Sequence, residues 1–205
     1  MRVFEDREDG GRVLAALLER YKGDAVIYGL PRGGVVTAAA VARALDAPLD
    51  LIVTHKIGYP SNPEFAIGAV TDDGESILDP QWAAMVPAAW VEQEKDRQLE
   101  ECRRRRDTYL AGRTRPPVEA KVAIVVDDGI ATGYTMEAAV KSVRKRNPSR
   151  IVVAAPVAPP GMAKRFEGLA DDVVIVEQPA ALTAIGQWYR RFGAVEDEVV
   201  VALLS

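Results

Sequence analysis

The chain of 205 residues contains one cysteine and one histidine. Cys102 has no partner for an intrachain disulfide and no companions for a zinc cluster, and His55 alone excludes a multi-histidine metal site. No G-x-S-x-G, Walker A or G-x-G-x-x-G motif is present, and neither are internal repeats or low-complexity tracts. No 18-residue apolar stretch is available to span a membrane. The opening MRVFEDREDGG lacks the apolar run of a signal peptide, so the expected location is the cytoplasm, with no membrane partner. A net charge of −4 gives no reason to expect nucleic acid as the main partner. Chemistry in this chain has to rest on carboxylates, cations and backbone amides.

What is present suits one soluble α/β domain. Hydrophobic content of 48% and charged content of 27% are ordinary for a globular protein long enough to bury a sizeable core. Apolar residues at Val13, Leu14, Leu17 and Leu18 predict a helix over 12–21. A strand over 25–30, an Ala/Val-rich helix over 35–45 and a strand over 49–54 make a βαβ unit, which implies parallel pairing. Residues 66–78, with Asp72-Asp73-Gly74 in the middle, read as a β-hairpin. Residues 88–111 read as a long polar helix, in which the run Arg103–Arg106 follows acids and gives alternating charge on a solvated face. Further strands are expected over 151–155 and 173–176, a short helix over 161–168, and a closing edge strand over 199–204.

The chain is organised around Lys121–Thr135, KVAIVVDDGIATGYT. Val122 to Val126 form a mostly β-branched run, as in a strand buried on both faces. Asp127 and Asp128 stand where it ends, Gly129 to Gly133 turn the chain, and Thr132, Gly133 and Thr135 open a helix. A strand–turn–helix with an Asp near the turn occurs in many α/β domains without any ligand. Two carboxylates beside a helix start also suit a phosphorylated sugar, because carboxylates accept bonds from hydroxyls and free helix amides hold phosphate. Two other places carry candidate cations. The loop Gly29–Gly34 sets Arg32 before two glycines that let backbone amides approach an anion. Lys56 is expected at a strand C-terminus, where open α/β sheets bind ligands, although most lysines are merely solvated.

The string VVDDGIATGYT resembles the phosphoribosyl-pyrophosphate (PRPP) motif of the type I phosphoribosyltransferases. HKIGYP followed by PEFAIGA is similar to a branch of predicted members that carry Arg-Lys-x-Gly-x-Pro, with His55 here in the place of that Arg. The resemblance covers about residues 25–176 and implies a type I phosphoribosyltransferase-like α/β fold: a central, mostly parallel sheet flanked by helices, residues 57–80 as a lid hairpin and 177–205 as a C-terminal hood or edge. It implies that Asp127 and Asp128 hold the ribose hydroxyls and serve as candidate Mg²⁺ ligands. Gly129, Ala131, Thr132, Gly133, Tyr134 and Thr135 would surround the 5′-phosphate, and Arg32, Gly33 and Gly34 the pyrophosphate, with Lys56 assisting. It further implies a non-proline cis bond at Pro31–Arg32, a small nitrogenous acceptor as partner, and a homodimer.

Ala131 departs from the 6-oxopurine members, which carry an Asp there to exchange a proton with the base. This argues against a hypoxanthine/guanine enzyme and leaves the acceptor open. Glu64 is the one acid between Lys56 and Val70 and is a candidate for proton handling. Trp188, Tyr189 and Phe192 are available either to stack on a base or to pack a core. Three functions stay open at this point: a Mg²⁺-dependent transferase, a PRPP or nucleotide sensor without turnover, and a hydrolase of PRPP or a related phosphosugar. RNA binding ranks last, given the acidic balance.

Overall fold

Val122–Val126 is buried at every position and forms the middle strand of a five-stranded sheet, which accounts for its unbroken apolar run. The computed structural model describes residues 2–205. In chain order it contains α1 (Arg7–Leu18), β1 (Ala25–Gly29), α2 (Gly33–Leu45), β2 (Leu49–Leu51), β3 (Thr54–Tyr59), β4 (Asn62–Thr71) and β5 (Ser76–Leu78). There follow α3 (Pro80–Ala83), α4 (Ala88–Tyr109), β6 (Val122–Val126), α5 (Tyr134–Arg144), β7 (Arg150–Val157), α6 (Met162–Arg165), β8 (Asp172–Glu177) and α7 (Asp197–Leu204). The main sheet has the order β2-β1-β6-β7-β8, and each of its pairings is parallel. A separate antiparallel sheet has the order β3-β4-β5. The expected mostly parallel α/β architecture is therefore present.

Alternate residues of the main sheet feed opposite cores. Val26, Tyr28 and Val125 pack with Met136, Val140 and Val143 of α5. Ile27, Ile124 and Val126 pack with Leu14 and Leu18 of α1 and Val41 and Leu45 of α2. Two glycines let α1 lie close in. A Cβ at Gly11 would stand 2.5 Å from the Thr37 carbonyl and 2.7 Å from Ala40 Cβ of α2, so α1 and α2 touch nearly backbone to backbone. Asp6 caps α1 by accepting from the Asp9 N–H at 3.0 Å. The helix thus starts five residues before the expected 12, because Gly11 is its contact point with α2 and Gly10 lies against Pro156 of β7 and the Tyr189 hydroxyl.

Three further expectations need correction. The strand expected over 49–54 stops at Leu51, and the chain then crosses to the antiparallel sheet as β3. Ile52 and Val53 are fully buried at the crossing, so hydropathy carried no mark of it. The hairpin expected over 66–78 is the second half of a three-stranded meander whose middle strand begins at Asn62. The edge strand expected over 199–204 is helix α7. Asp197 and Glu198 sit in its first turn, where the helix dipole favours acids, and Val200 and Leu204, one turn apart, are its buried residues. A short apolar run carries no period that separates the two states.

The long polar helix is present as α4, which buries Val91, Gln98, Cys102 and Tyr109 along one side. Cys102 is fully buried, and burial pushes its thiol up to about 12. The native protein is expected to resist thiol reagents at pH 8, with modification following the unfolding transition in urea. Rapid labelling of the folded protein would contradict this packing.

Candidate functional site

Asp127 and Asp128 follow β6 at its C-terminal end, between the loops that leave β1 and β7. Backbone bonds pin this corner: Leu30 N–H donates to the Val126 carbonyl at 3.1 Å and Asp127 N–H to the Ala154 carbonyl at 3.3 Å. Asp127 Oδ1 accepts from the Asp128 N–H at 2.8 Å. The β1 loop comes in against both carboxylates. A Cβ at Gly33 would overlap Asp128 Oδ2, and one at Gly34 would lie 2.6 Å from Asp127 Oδ1 and 2.9 Å from Asp127 Cα. The glycines are there because any side chain would occupy the carboxylates' space. The peptide bond between Pro31 and Arg32 is cis, as expected.

Arg7 of α1 completes the corner. Its Nε donates to Asp128 Oδ2 at 2.6 Å, its Nη1 donates to the Gly193 carbonyl at 2.8 Å, and its guanidinium lies 3.7 Å from the centroid of the Phe192 ring. The two side chains of this ion pair are 13% and 14% exposed. Tyr189 donates its hydroxyl to the Asp128 carbonyl and stacks on Phe192 with ring centroids 5.0 Å apart. Burial first, and the neighbouring carboxylates second, push the Tyr189 phenol far up, so it remains a donor.

Burial raises Asp127 well above its usual 3.8, and the charge of Asp128 adds to the rise. Burial raises Asp128 as well, opposed by the bond from Arg7. For a carboxyl raised on folding, the stabilising contribution is full below the unfolded value and is lost as pH rises through the folded one. Asp127→Asn can still accept the Asp128 N–H and removes that loss. In EDTA its Tm should exceed the parent's, by more at pH 7 than at pH 4, with each kcal/mol worth about 2–4 °C in a chain of this size. A Tm below the parent's at pH 7 would mean that the carboxylate is already neutralised in place.

Beyond the carboxylates the chain turns into α5. Gly133 is its N-cap at φ +86° and supplies no capping side chain, so the first amides of the helix are uncapped from that residue. Ala131 and Thr132 are exposed, and Gly129 is packed against Ile185. The sequence profile of the phosphoribosyl transferase domain family matches residues 5–183. The chain belongs to that family. Its full length aligns at 43% identity with Rv0571c of Mycobacterium tuberculosis H37Rv, provisionally named a phosphoribosyl transferase. The matching protein of strain CDC 1551, MT0597, aligns equally well. The chain spans about half the length of these relatives, 47% of each. The crystal structure of TT1426 from Thermus thermophilus is similar at 42% identity and a TM-score of 0.81, covering 100% of this chain and 98% of that one.

Within this phosphoribosyl transferase domain, Asp127, Asp128, Gly33, Gly34 and the start of α5 meet at one edge of the main sheet. The two candidate cations are engaged elsewhere. Arg32 Nη1 stands 3.6 Å from Glu196 and 3.8 Å from Asp197 at the start of α7. Lys56 is inside β3, opposite Ala69, and not at the end of a parallel strand as expected. Its Nζ donates to Glu64 at 2.7 Å. That bond holds the Glu64 carboxyl below its usual range, which disfavours Glu64 as a proton donor at neutral pH. Tyr134 donates to Asp79 Oδ2 at 2.6 Å, tying the start of α5 to the segment that leaves the antiparallel sheet. Burial first and that bond second push the Tyr134 phenol up to about 12.

Of the aromatic residues in the hood segment, Tyr189 is 5% exposed between Phe4 and Phe192, and Phe192 is covered by Arg7. They pack the hood onto the carboxylate corner and have no open faces for a base. Arg7 is the residue that sequence reasoning missed. It lies 121 positions from Asp128, and no local pattern announces the pairing.

Among the described residues no group of three or more His, Cys, Asp or Glu is placed to hold a metal. The donor set at the corner is two adjacent carboxylates. Magnesium commonly binds through one or two carboxylates together with substrate phosphates and water; Arg7 already pairs with Asp128 Oδ2, and Asp127 has no cationic partner among the described residues. The residues fit Mg²⁺ bound jointly with a phosphorylated ligand, not a protein-only cage. Among the described residues no helix is long and apolar enough to cross a membrane.

Proposed function

We propose that this domain binds PRPP with Mg²⁺ and transfers its 5-phosphoribosyl group to a small nitrogenous acceptor, releasing pyrophosphate. One observation carries the reading: paired carboxylates, a glycine pair with room for nothing larger, and an uncapped helix start converge at the C-terminal edge of a parallel sheet in a phosphoribosyl transferase domain. Asp127 and Asp128 accept the ribose 2′- and 3′-hydroxyls and orient the sugar. The amides of Gly129 to Thr135 take the 5′-phosphate. Amides of the Arg32-Gly33-Gly34 loop take the pyrophosphate, and Arg32 and Lys56 turn from their acidic partners to neutralise it. Bound Mg²⁺ would supply further charge neutralisation on the departing pyrophosphate. The C1–O bond to pyrophosphate breaks as the acceptor nitrogen approaches, and cationic character on the ring is stabilised by the carboxylates below it. Residues 57–80 serve as the cover that excludes water, which would otherwise hydrolyse the sugar. Ala131 supplies no acid for the base, so the acceptor needs no proton exchange at that place. The domain acts as a cytoplasmic homodimer in this reading.

A second reading, a PRPP sensor without turnover, is favoured by the pairing of both pyrophosphate cations with carboxylates. The test is pyrophosphate release from PRPP and Mg²⁺ across a panel of purine, pyrimidine and simple amine acceptors. Release with one acceptor supports the transferase. Release without any acceptor indicates the hydrolase, and tight PRPP binding without release by any route indicates the sensor.

A further inference from the structure

Arg165 reaches the turn before α5, and nothing so far accounts for it. It comes from α6, after β7, so it approaches from the strand next to the one that carries the carboxylates. Its guanidinium lies 4.6 Å from the centroid of the Tyr134 ring, the first residue of α5. A Cβ at Gly133 would stand 2.7 Å from Arg165 Nε and 2.8 Å from its Cδ, so the arginine rests on the backbone of Gly133. The glycine therefore answers two demands, a left-handed φ of +86° and the closeness of the arginine.

The bonding of Arg165 is incomplete. Its hydrogen bond among the described residues runs from Nη2 to Glu137 Oε2 at 3.1 Å. Glu137 divides its charge between Arg165 and Lys141, which stands 3.7 Å from its other oxygen. Arg165 Nε is buried against Gly133 and has no acceptor, while the side chain as a whole is 30% exposed. A buried N–H without a partner is unfavourable, and an arginine fork offers donors suited to phosphate. The uncapped start of α5 and this guanidinium lie side by side, and both are donors suited to a phosphate dianion.

We propose that Arg165 is a further phosphate-binding residue, supplying the charge that holds the sugar 5′-phosphate against the turn Ala131–Thr135. This rests on the reading of that turn as the 5′-phosphate site. The stacking on Tyr134 fixes the plane of the guanidinium, and Glu137 holds its far edge.

The test is calorimetric titration of ribose 5-phosphate, pyrophosphate and PRPP into wild type, Arg165→Ala and Arg165→Lys, with Mg²⁺ present. Arg165→Ala should weaken ribose 5-phosphate and PRPP by about tenfold or more, the scale of one charge-assisted hydrogen bond, and Arg165→Lys should recover part of it. Pyrophosphate should change by less than about twofold, a selectivity that general damage to the fold would not produce. Unchanged ribose 5-phosphate affinity in Arg165→Ala, or equal weakening of ribose 5-phosphate and pyrophosphate, would overturn the assignment. A wild type that binds neither PRPP nor ribose 5-phosphate would overturn the phosphoribosyl reading itself, and the inference with it.

Discussion

Arg7→Ala is expected to lower stability by about 3 kcal/mol, because it leaves the Asp128 carboxylate without a partner in a buried site. At roughly 2–4 °C per kcal/mol for a chain of this size, Tm should fall by about 6–12 °C. Three interactions go at once: the 2.6 Å bond to Asp128, the bond to the Gly193 carbonyl and the stacking on Phe192. The effect should be greatest where Asp128 is ionised, since burial already raises that group and Arg7 is what opposes the rise. Arg7→Ala combined with Asp128→Asn should recover part of the stability, because the unpaired charge is then gone. Circular-dichroism melts of the four proteins at pH 7 make the cycle. A Tm for Arg7→Ala within a degree of wild type would mean that the pair is solvated and that α1 does not secure the carboxylate corner.

Gly34→Ala should be nearly as damaging, for a steric reason. The added methyl would face Asp127 Oδ1 at 2.6 Å, which a side chain could evade by rotating, and Asp127 Cα at 2.9 Å, which it could not. Asp127 is held by its N–H bond to the Ala154 carbonyl at the end of a central strand. Overfilling such a place costs about 1–3 kcal/mol and sometimes more. Gly193→Ala is the control: a Cβ there meets nothing within 4 Å, and its stability should stay within about 0.5 kcal/mol of wild type. Urea titrations of both variants separate the cases. Equal midpoints for Gly34→Ala and wild type would show that the β1 loop is free to move away from the carboxylates.

The parts of the molecule legible in the sequence are those whose cause is local. Val122 to Val126 announce a buried strand by composition alone, and Asp127, Asp128 and the glycines after them are consecutive with it. The Gly33-Gly34 pair was legible for the same reason. Long-range arrangement was not. Arg7 and Arg165 reach the site across α1 and α6, and nothing in the segments around them differs from an ordinary solvated cation. Lys56 lies away from the expected strand end because the chain changes sheets at Ile52 and Val53, two apolar residues that suit either sheet. Helix α7 differs from the expected strand because six apolar residues in a row fit a strand as well as a helix, and only the packing of Val200 and Leu204 with α4 decides. Tyr189 and Phe192 had two possible roles, and the proximity of Arg7 selects packing.

Residues placed by this domain at one sheet edge are proposed to hold a phosphorylated ribose by its hydroxyls. The most direct measurement is calorimetric titration of PRPP with Mg²⁺ into wild type and into the Asp127→Asn/Asp128→Asn protein, with melting curves to show that both are folded. The account predicts a roughly micromolar Kd for wild type, weakened about a hundredfold or more in the double variant, as expected when two charge-assisted hydrogen bonds are removed. Equal affinity for PRPP in both proteins would contradict it.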